Sequence, residues 1–182
     1  MRTDLSLYRT LLGARFDVLP ARVRELHDVT ETAVWVGRAD VERGRSRVAR
    51  ALATLFSLPT DGRDQALRVR FEPGGGREVW TRVFGAREFS SVQFQRDGWL
   101  AERVGAVTLL SALDASSDGL ALQLRKVLVL GIPLPRWLHP CVRTFESDRD
   151  GRYRFEVEAH LPVVGLLVRY AGWLERAVGP SA

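Results

Sequence analysis

The sequence predicts an α+β protein that is mainly β. We expect a strongly curved antiparallel sheet, a half-open or closed barrel of about nine or ten strands, with N-terminal helices packed on it. Three observations predict this. Helix caps and helical spacing are confined to the first 58 residues. From Ala66 onward apolar residues recur at every second position. The turns between those runs are too short for helical crossovers, so neighbouring strands pair antiparallel.

The elements follow in order. Thr3 or Asp4 is placed to cap a first helix with Leu5, Tyr8 and Leu12 on one face, ending near Gly13. Pro20 opens a second short helix through Leu26, with Val23 and Leu26 inward. Residues 30–41 read as a strand carrying Val34, Trp35 and Val36. Ser46 caps a third helix, 47–57, expected to bury Val48, Leu52, Leu55 and Phe56 before Pro59 closes it. Leu67, Val69 and Phe71 then alternate with Arg68, Arg70 and Glu72, and Gly74 to Gly76 turn the chain into 79–84. Strands are expected at 88–95, 99–104, 107–113 and 120–130. Asp97-Gly98, Gly105 and Asp118-Gly119 separate them. Asp150-Gly151 joins 142–147 to the cleanest alternation in the chain, Tyr153, Phe155, Val157 and Ala159, and 164–174 is the last strand. No linker or repeat divides the chain, so 1–182 reads as one domain, with a helical part at 3–58 and a meander at 66–174.

At 182 residues, 46% hydrophobic and 27% charged, the chain has the make-up of a globular domain with a substantial core. The net charge of +5 is almost all arginine, since Lys126 is the only lysine. The arginines are scattered, with no dense basic run and no nucleic-acid-binding motif, so no nucleic-acid partner is expected. Leu161 to Leu174 is too short and, with Arg169, too charged to span a bilayer, and the N-terminal segment lacks the form of a secretory signal. The expected location is the cytoplasm, with peripheral membrane contact left open. The single cysteine, Cys141, forms no internal disulfide or cysteine-based metal cluster and reads as a small buried filler.

Chemistry concentrates on one strand face. Period two puts Trp80, Arg82 and Phe84 together, and likewise Leu100, Glu102 and Val104. Glu102 among apolar neighbours needs a partner or must be neutral, and Arg82, one strand removed, is the expected partner. The pair reads either as a polar anchor for ligand binding or acid–base work, or as a buried ion pair fixing register. His27 ends a short helix, where it reads as a cap; in a catalytic role Asp28 would orient it. His139 and His160 read as loop or surface residues, and no histidine spacing suits a metal. No nucleophile elbow, phosphate loop or dinucleotide fingerprint is present, and no cofactor is expected. Leu130 to Pro140 holds three prolines and Trp137 between two strands. It reads as a rigid lid, as a membrane-touching wedge with Arg136 and Trp137, or as a plain crossover. Segments 106–113 and 163–173 are apolar on both faces, which points to an enclosed apolar interior.

The segments LYRTLLGARFDVLPARVRELHD (7–28), GRADVERG (37–44), EVWTRVFGAREFSS (78–91), LAERVG (100–105), LGIPLPRWLHP (130–140) and DGRYRFEVEAHLPVVGLLVRYAGWL (150–174) resemble an uncharacterised bacterial domain-of-unknown-function family. That family occurs alone or C-terminal to saccharopine-dehydrogenase-like nucleotide-binding domains. The resemblance covers almost the whole chain and implies a companion oxidoreductase as a partner, but it brings no catalytic residues to carry over.

The expected function is binding of a hydrophobic small molecule, such as a lipid, isoprenoid or polyketide, in an apolar β-walled pocket. One alternative is a cyclase or isomerase on such a molecule, with Glu102, Arg82 and His27 as the catalytic candidates. Another is an interaction domain for a separate oxidoreductase. The ligand-contact candidates are Trp80, Phe84, Trp99, Trp137 and Tyr170.

Overall fold

The computed structural model describes residues 5–177. Ten antiparallel strands close into a barrel: β1 (Ala33–Arg43), β2 (Gly62–Gly74), β3 (Arg77–Phe84), β4 (Arg87–Arg96), β5 (Trp99–Val104), β6 (Val107–Ser116), β7 (Gly119–Val129), β9 (Cys141–Arg149), β10 (Arg152–Leu161) and β11 (Gly165–Arg176). The two-residue β8 (Ile132–Pro133) folds back on β7 as an eleventh strand outside the ring. Sequential neighbours pair except at two seams, β1 with β11 and β7 with β9. The β6–β7 pairing completes the ring.

Local chemistry explains the hairpins. Asp97-Gly98 and Asp150-Gly151 both hold two successive positive φ angles, 53° and 78° and then 57° and 71°. That is the tight two-residue turn whose twist matches the flanking strands. The alternation read from sequence then sends Tyr153, Phe155, Val157 and Ala159 inward. Arg152, Arg154, Glu156 and Glu158 are sent outward, with Arg68, Arg70 and Glu72 on β2. A charged exterior around an apolar interior is the reverse of a membrane-spanning barrel. Among the described residues no helix is long and apolar enough to cross a membrane.

The helices close one end. Ser6, not Thr3 or Asp4, caps α1 (Leu7–Leu12) by accepting from the Arg9 N–H; Thr3 and Asp4 lie outside the described residues. A 3-10 turn (Gly13–Val18) and α2 (Ala21–His27) follow. Tyr8, Phe16, Val23 and Leu26 of this unit are buried, whereas Leu5 is exposed rather than part of that face. The Arg22 side chain donates to the Gly151 carbonyl at 2.8 Å, tying the plug to the β9–β10 hairpin.

α3 (Arg47–Leu55) sits at the opposite end, capped by Ser46 as expected. Its buried face corrects the sequence reading. Ala49 and Ala53 are buried and Leu52 and Phe56 are half-buried against the interior, while Val48 and Leu55 are exposed. The reason is close approach: Gly44 brings β1 so near β11 that only the small alanine face of α3 fits there. Cys141 is likewise exposed, not a buried filler, because it opens β9 on the outward phase.

Candidate functional site

The barrel encloses a cavity of about 400 Å³, within the range of small-molecule pockets. Leu67, Val69, Phe84, Leu109, Val127 and Phe155 contribute to its apolar wall. Two polar stations interrupt that wall.

The first lies on β3, β4 and β5. Arg82 Nη2 donates to Glu102 Oε1 at 3.2 Å, and Arg82 Nη1 donates to Ser91 Oγ at 2.9 Å. The Ser91 hydroxyl in turn donates to the same Glu102 oxygen at 2.6 Å. Glu102 stands on β5, two strands from Arg82 on β3, with Ser91 bridging from β4. The guanidinium lies 4.9 Å from the Trp80 ring centroid and 5.3 Å from that of Phe89. Aromatic faces and a carboxylate together hold a cation in a mostly dry wall. Both Arg82 and Glu102 line the cavity.

The second station is the floor, where the helical plug meets the barrel. The buried Tyr8 hydroxyl donates to Gln93 Oε1 at 2.9 Å. His27 stacks on Tyr8, with ring centroids 3.8 Å apart, and its Nε2 hydrogen-bonds the buried Glu146 carboxylate. Its Nδ1 has no partner among the described residues. Glu78 accepts from the Leu7 backbone N–H at 3.3 Å and from Trp80 Nε1 at 3.0 Å.

Burial sets the protonation of this floor. Desolvation pushes the Tyr8 and Tyr153 phenols well above their ordinary range, and Glu146 adds to both shifts. Tyr170, further up the cavity, is pushed to about 12 by burial against the opposing pull of Arg82. All three are therefore neutral O–H groups at ordinary pH. Burial also raises the Glu78 pKa above 4.5, and the Trp80 hydrogen bond offsets only part of the rise. A raised carboxyl holds its proton better folded than unfolded, so stability falls as pH climbs from 4.5 through the folded value. Glu78→Gln should flatten that decline by up to about 1.4 kcal/mol per pH unit in denaturant titrations. Parallel curves for the two proteins would show that Glu78 titrates as it does in the unfolded chain.

The eight residues singled out from sequence divide as follows. Trp80, Arg82, Phe84, Glu102 and Tyr170 line the cavity. Trp99 does not: Leu100 faces inward on β5, so Trp99 takes the outward phase, with Arg125 over its ring at 6.0 Å. Trp137 is also displaced from the cavity, standing 74% exposed at the rim while its neighbours Leu134 and Leu138 face in. His27 is neither a helix-end cap nor oriented by Asp28. Asp28 is held by Arg9 at 3.1 Å, which keeps its carboxyl below the usual range. His27 instead lies fully buried behind Tyr8, bonded to Glu146. His139 is tucked against the Leu134 carbonyl and His160 against Glu158.

Ser91, Glu78, Glu146, Gln93 and Tyr8 were not singled out as site residues. Glu78 had a signal, since it continues the Trp80–Arg82–Phe84 alternation by one step. A broader groove of about 610 Å³ lies on the outer side of β7, β9, β10 and β11. Two of its charges, Arg169 and Glu158, pair at 3.5 Å. It lacks the apolar wall of the interior.

No curated protein matches this sequence. The profile of the family described as "Domain of unknown function (DUF4166)" matches residues 19–174, which span the plug's second helix, the first ten strands and β11 as far as Leu174. The chain belongs to the DUF4166 family.

Proposed function

We propose that this protein binds a hydrophobic small molecule of the lipid, isoprenoid or polyketide class inside the barrel, with the ligand's polar end at Arg82. The observation that carries this reading is one apolar cavity of about 400 Å³ interrupted by a guanidinium–serine–carboxylate network. Arg82 is already neutralised by Glu102, and Glu146 lines the same cavity. An anionic headgroup would meet two carboxylates, so a neutral carbonyl or hydroxyl fits better. Phenols that stay protonated, such as Tyr170, add donors for such an oxygen. The cytoplasm remains the compartment we propose, and the role of a companion oxidoreductase would be to deliver or consume the bound molecule.

The test has two parts. Native mass spectrometry of freshly purified protein should reveal a co-purifying apolar molecule. The neutral fluorophore N-phenyl-1-naphthylamine should bind with enhanced emission and be displaced at least tenfold better by 1-dodecanol than by dodecanoate. Ala159→Trp, which fills the cavity, should abolish the emission while circular dichroism stays unchanged. Arg82→Met with Glu102→Leu should cost dodecanol about tenfold in affinity, the loss of one charge-assisted hydrogen bond. Tight fluorophore binding to the Ala159→Trp protein would place the ligand elsewhere and refute the reading.

A second reading is acid–base catalysis on the same class of molecule, a cyclisation or isomerisation. It is favoured by Glu102 and Glu146 lining one apolar cavity. Here Glu102 exchanges the proton, Arg82 stabilises developing charge, and His27 positions Glu146. Conversion of an extracted ligand to an isomer of equal mass, lost in Glu102→Gln, would favour this reading over simple binding.

A further inference from the structure

We infer that the open end of the barrel docks on an anionic lipid bilayer, so that the cavity mouth faces the membrane. The two barrel ends differ sharply. One is sealed by the buried Tyr8, Val23 and Leu26. At the other, Val129 and Leu138 line the cavity and are also more than one-third exposed, so the interior reaches the surface there.

That mouth carries most of the exposed large apolar side chains. Leu55 comes from α3, Leu130, Ile132 and Trp137 from the β7–β9 connection, and Val163 from the β10–β11 turn. Three separate segments therefore supply one apolar rim. Val163 is fully exposed and holds φ at 66°, a conformation costly for a β-branched residue. Tryptophan beside arginine at such a rim suits the bilayer interface, where the ring sits at headgroup depth and the guanidinium reaches phosphate.

Charge selects the partner. The connections at the mouth carry Arg45, Arg47, Arg50 and Arg136, all exposed and none paired with a carboxylate among the described residues. Their one acid, Asp61, is engaged by the Arg43 backbone N–H at 2.7 Å. The sealed end has the opposite bias: Asp17, Glu25, Asp28, Glu31, Asp97, Asp118 and Asp150 outnumber its arginines. A basic, apolar ring fits an anionic membrane, whereas two copies meeting through it would oppose arginine to arginine. Each such arginine strengthens binding to an anionic surface by about fivefold.

Docking builds on the proposed ligand class but is tested separately from it. The folded full-length chain is sedimented with vesicles of phosphatidylcholine alone or with about one-third phosphatidylglycerol. Binding to the anionic vesicles should be at least tenfold tighter. Leu55→Ser with Trp137→Ser should weaken it at least tenfold. Arg45→Glu, Arg47→Glu and Arg50→Glu together should remove the preference for anionic lipid. Trp99→Ser, at the sealed end, should change nothing. These residues are exposed, so melting temperatures should stay within a degree or two of wild type. No sedimentation with anionic vesicles, or equal sedimentation of the charge-reversed protein, overturns docking. So does a dimer in sedimentation velocity that Trp137→Ser dissolves, or vesicle binding that appears only when a companion protein is added. Vesicle failure with fluorophore binding intact refutes docking alone, and the converse refutes only the ligand.

Discussion

His27→Ala is expected to destabilise the protein by about 3–5 kcal/mol, enough to lower the melting temperature by roughly 10 °C. His27 is fully buried, and its Nε2 is hydrogen-bonded to the buried carboxyl of Glu146. Removing the imidazole leaves Glu146 without that partner in a wall formed by Tyr8, Tyr153 and Phe155. It also opens a hole beneath Tyr8, whose ring stacks on the imidazole. Two costs therefore add: a lost buried hydrogen bond and a cavity. They separate in a double-mutant cycle. His27→Leu with Glu146→Leu removes both polar partners and refills the space, so it should recover most of the loss. If His27→Ala alone costs less than about 1 kcal/mol, the pair is solvated in practice. The functional readout differs from the structural one. The double variant should fold yet lose the polar floor, so any ligand preference set there would change without unfolding.

Sequence periodicity reached some of this site and missed the rest for definable reasons. Arg82 and Glu102 were legible because each lies on a strand of clean alternation, and a single intervening hairpin strand fixes their separation. Ser91, between them, was equally reachable: the Trp80–Ser91 register follows once β3 and β4 are paired. Trp99 shows the cost of reading residue type over phase. Placing Leu100, Glu102 and Val104 inward already sends Trp99 outward. Glu146 was out of reach, because its approach to His27 depends on α2 packing across a sequence separation of 119 residues. No local pattern encodes such a contact. The barrel's closure was equally hidden, since the β1–β11 seam joins strands from opposite ends of the chain. Curvature suggested closure without saying which strands would meet. On α3, helical spacing identified the apolar face, but the mouth of the barrel places Leu55 in solvent where a packed core would have covered it.

The β1–β11 seam yields the other large expected effect. Gly172→Ala should cost several kcal/mol or prevent folding, beyond the 1–3 kcal/mol typical of overpacking. A methyl at Gly172 would lie 2.1 Å from the Arg38 carbonyl oxygen and 2.9 Å from the Ala39 Cα, so backbone rather than a movable side-chain tip must give way. Gly37, across the same seam, meets the Trp173 carbonyl oxygen at 1.9 Å. Both glycines lie on the inward phase, since Gly37 pairs with Leu174 and Gly172 with Phe155. Their bare backbone lets the two strands coil tightly enough to close the ring, the device that curved sheets require. Gly74→Ala is the control: nothing lies within 4 Å of its methyl, and alanine there should be neutral or slightly stabilising. Equal, small effects of the two alanines in chemical denaturation would mean that the seam relaxes freely. A selective loss at Gly172 would tie the hollow interior to the absence of two side chains, because the same inward positions that must stay bare to bend the wall are positions that add nothing to fill it.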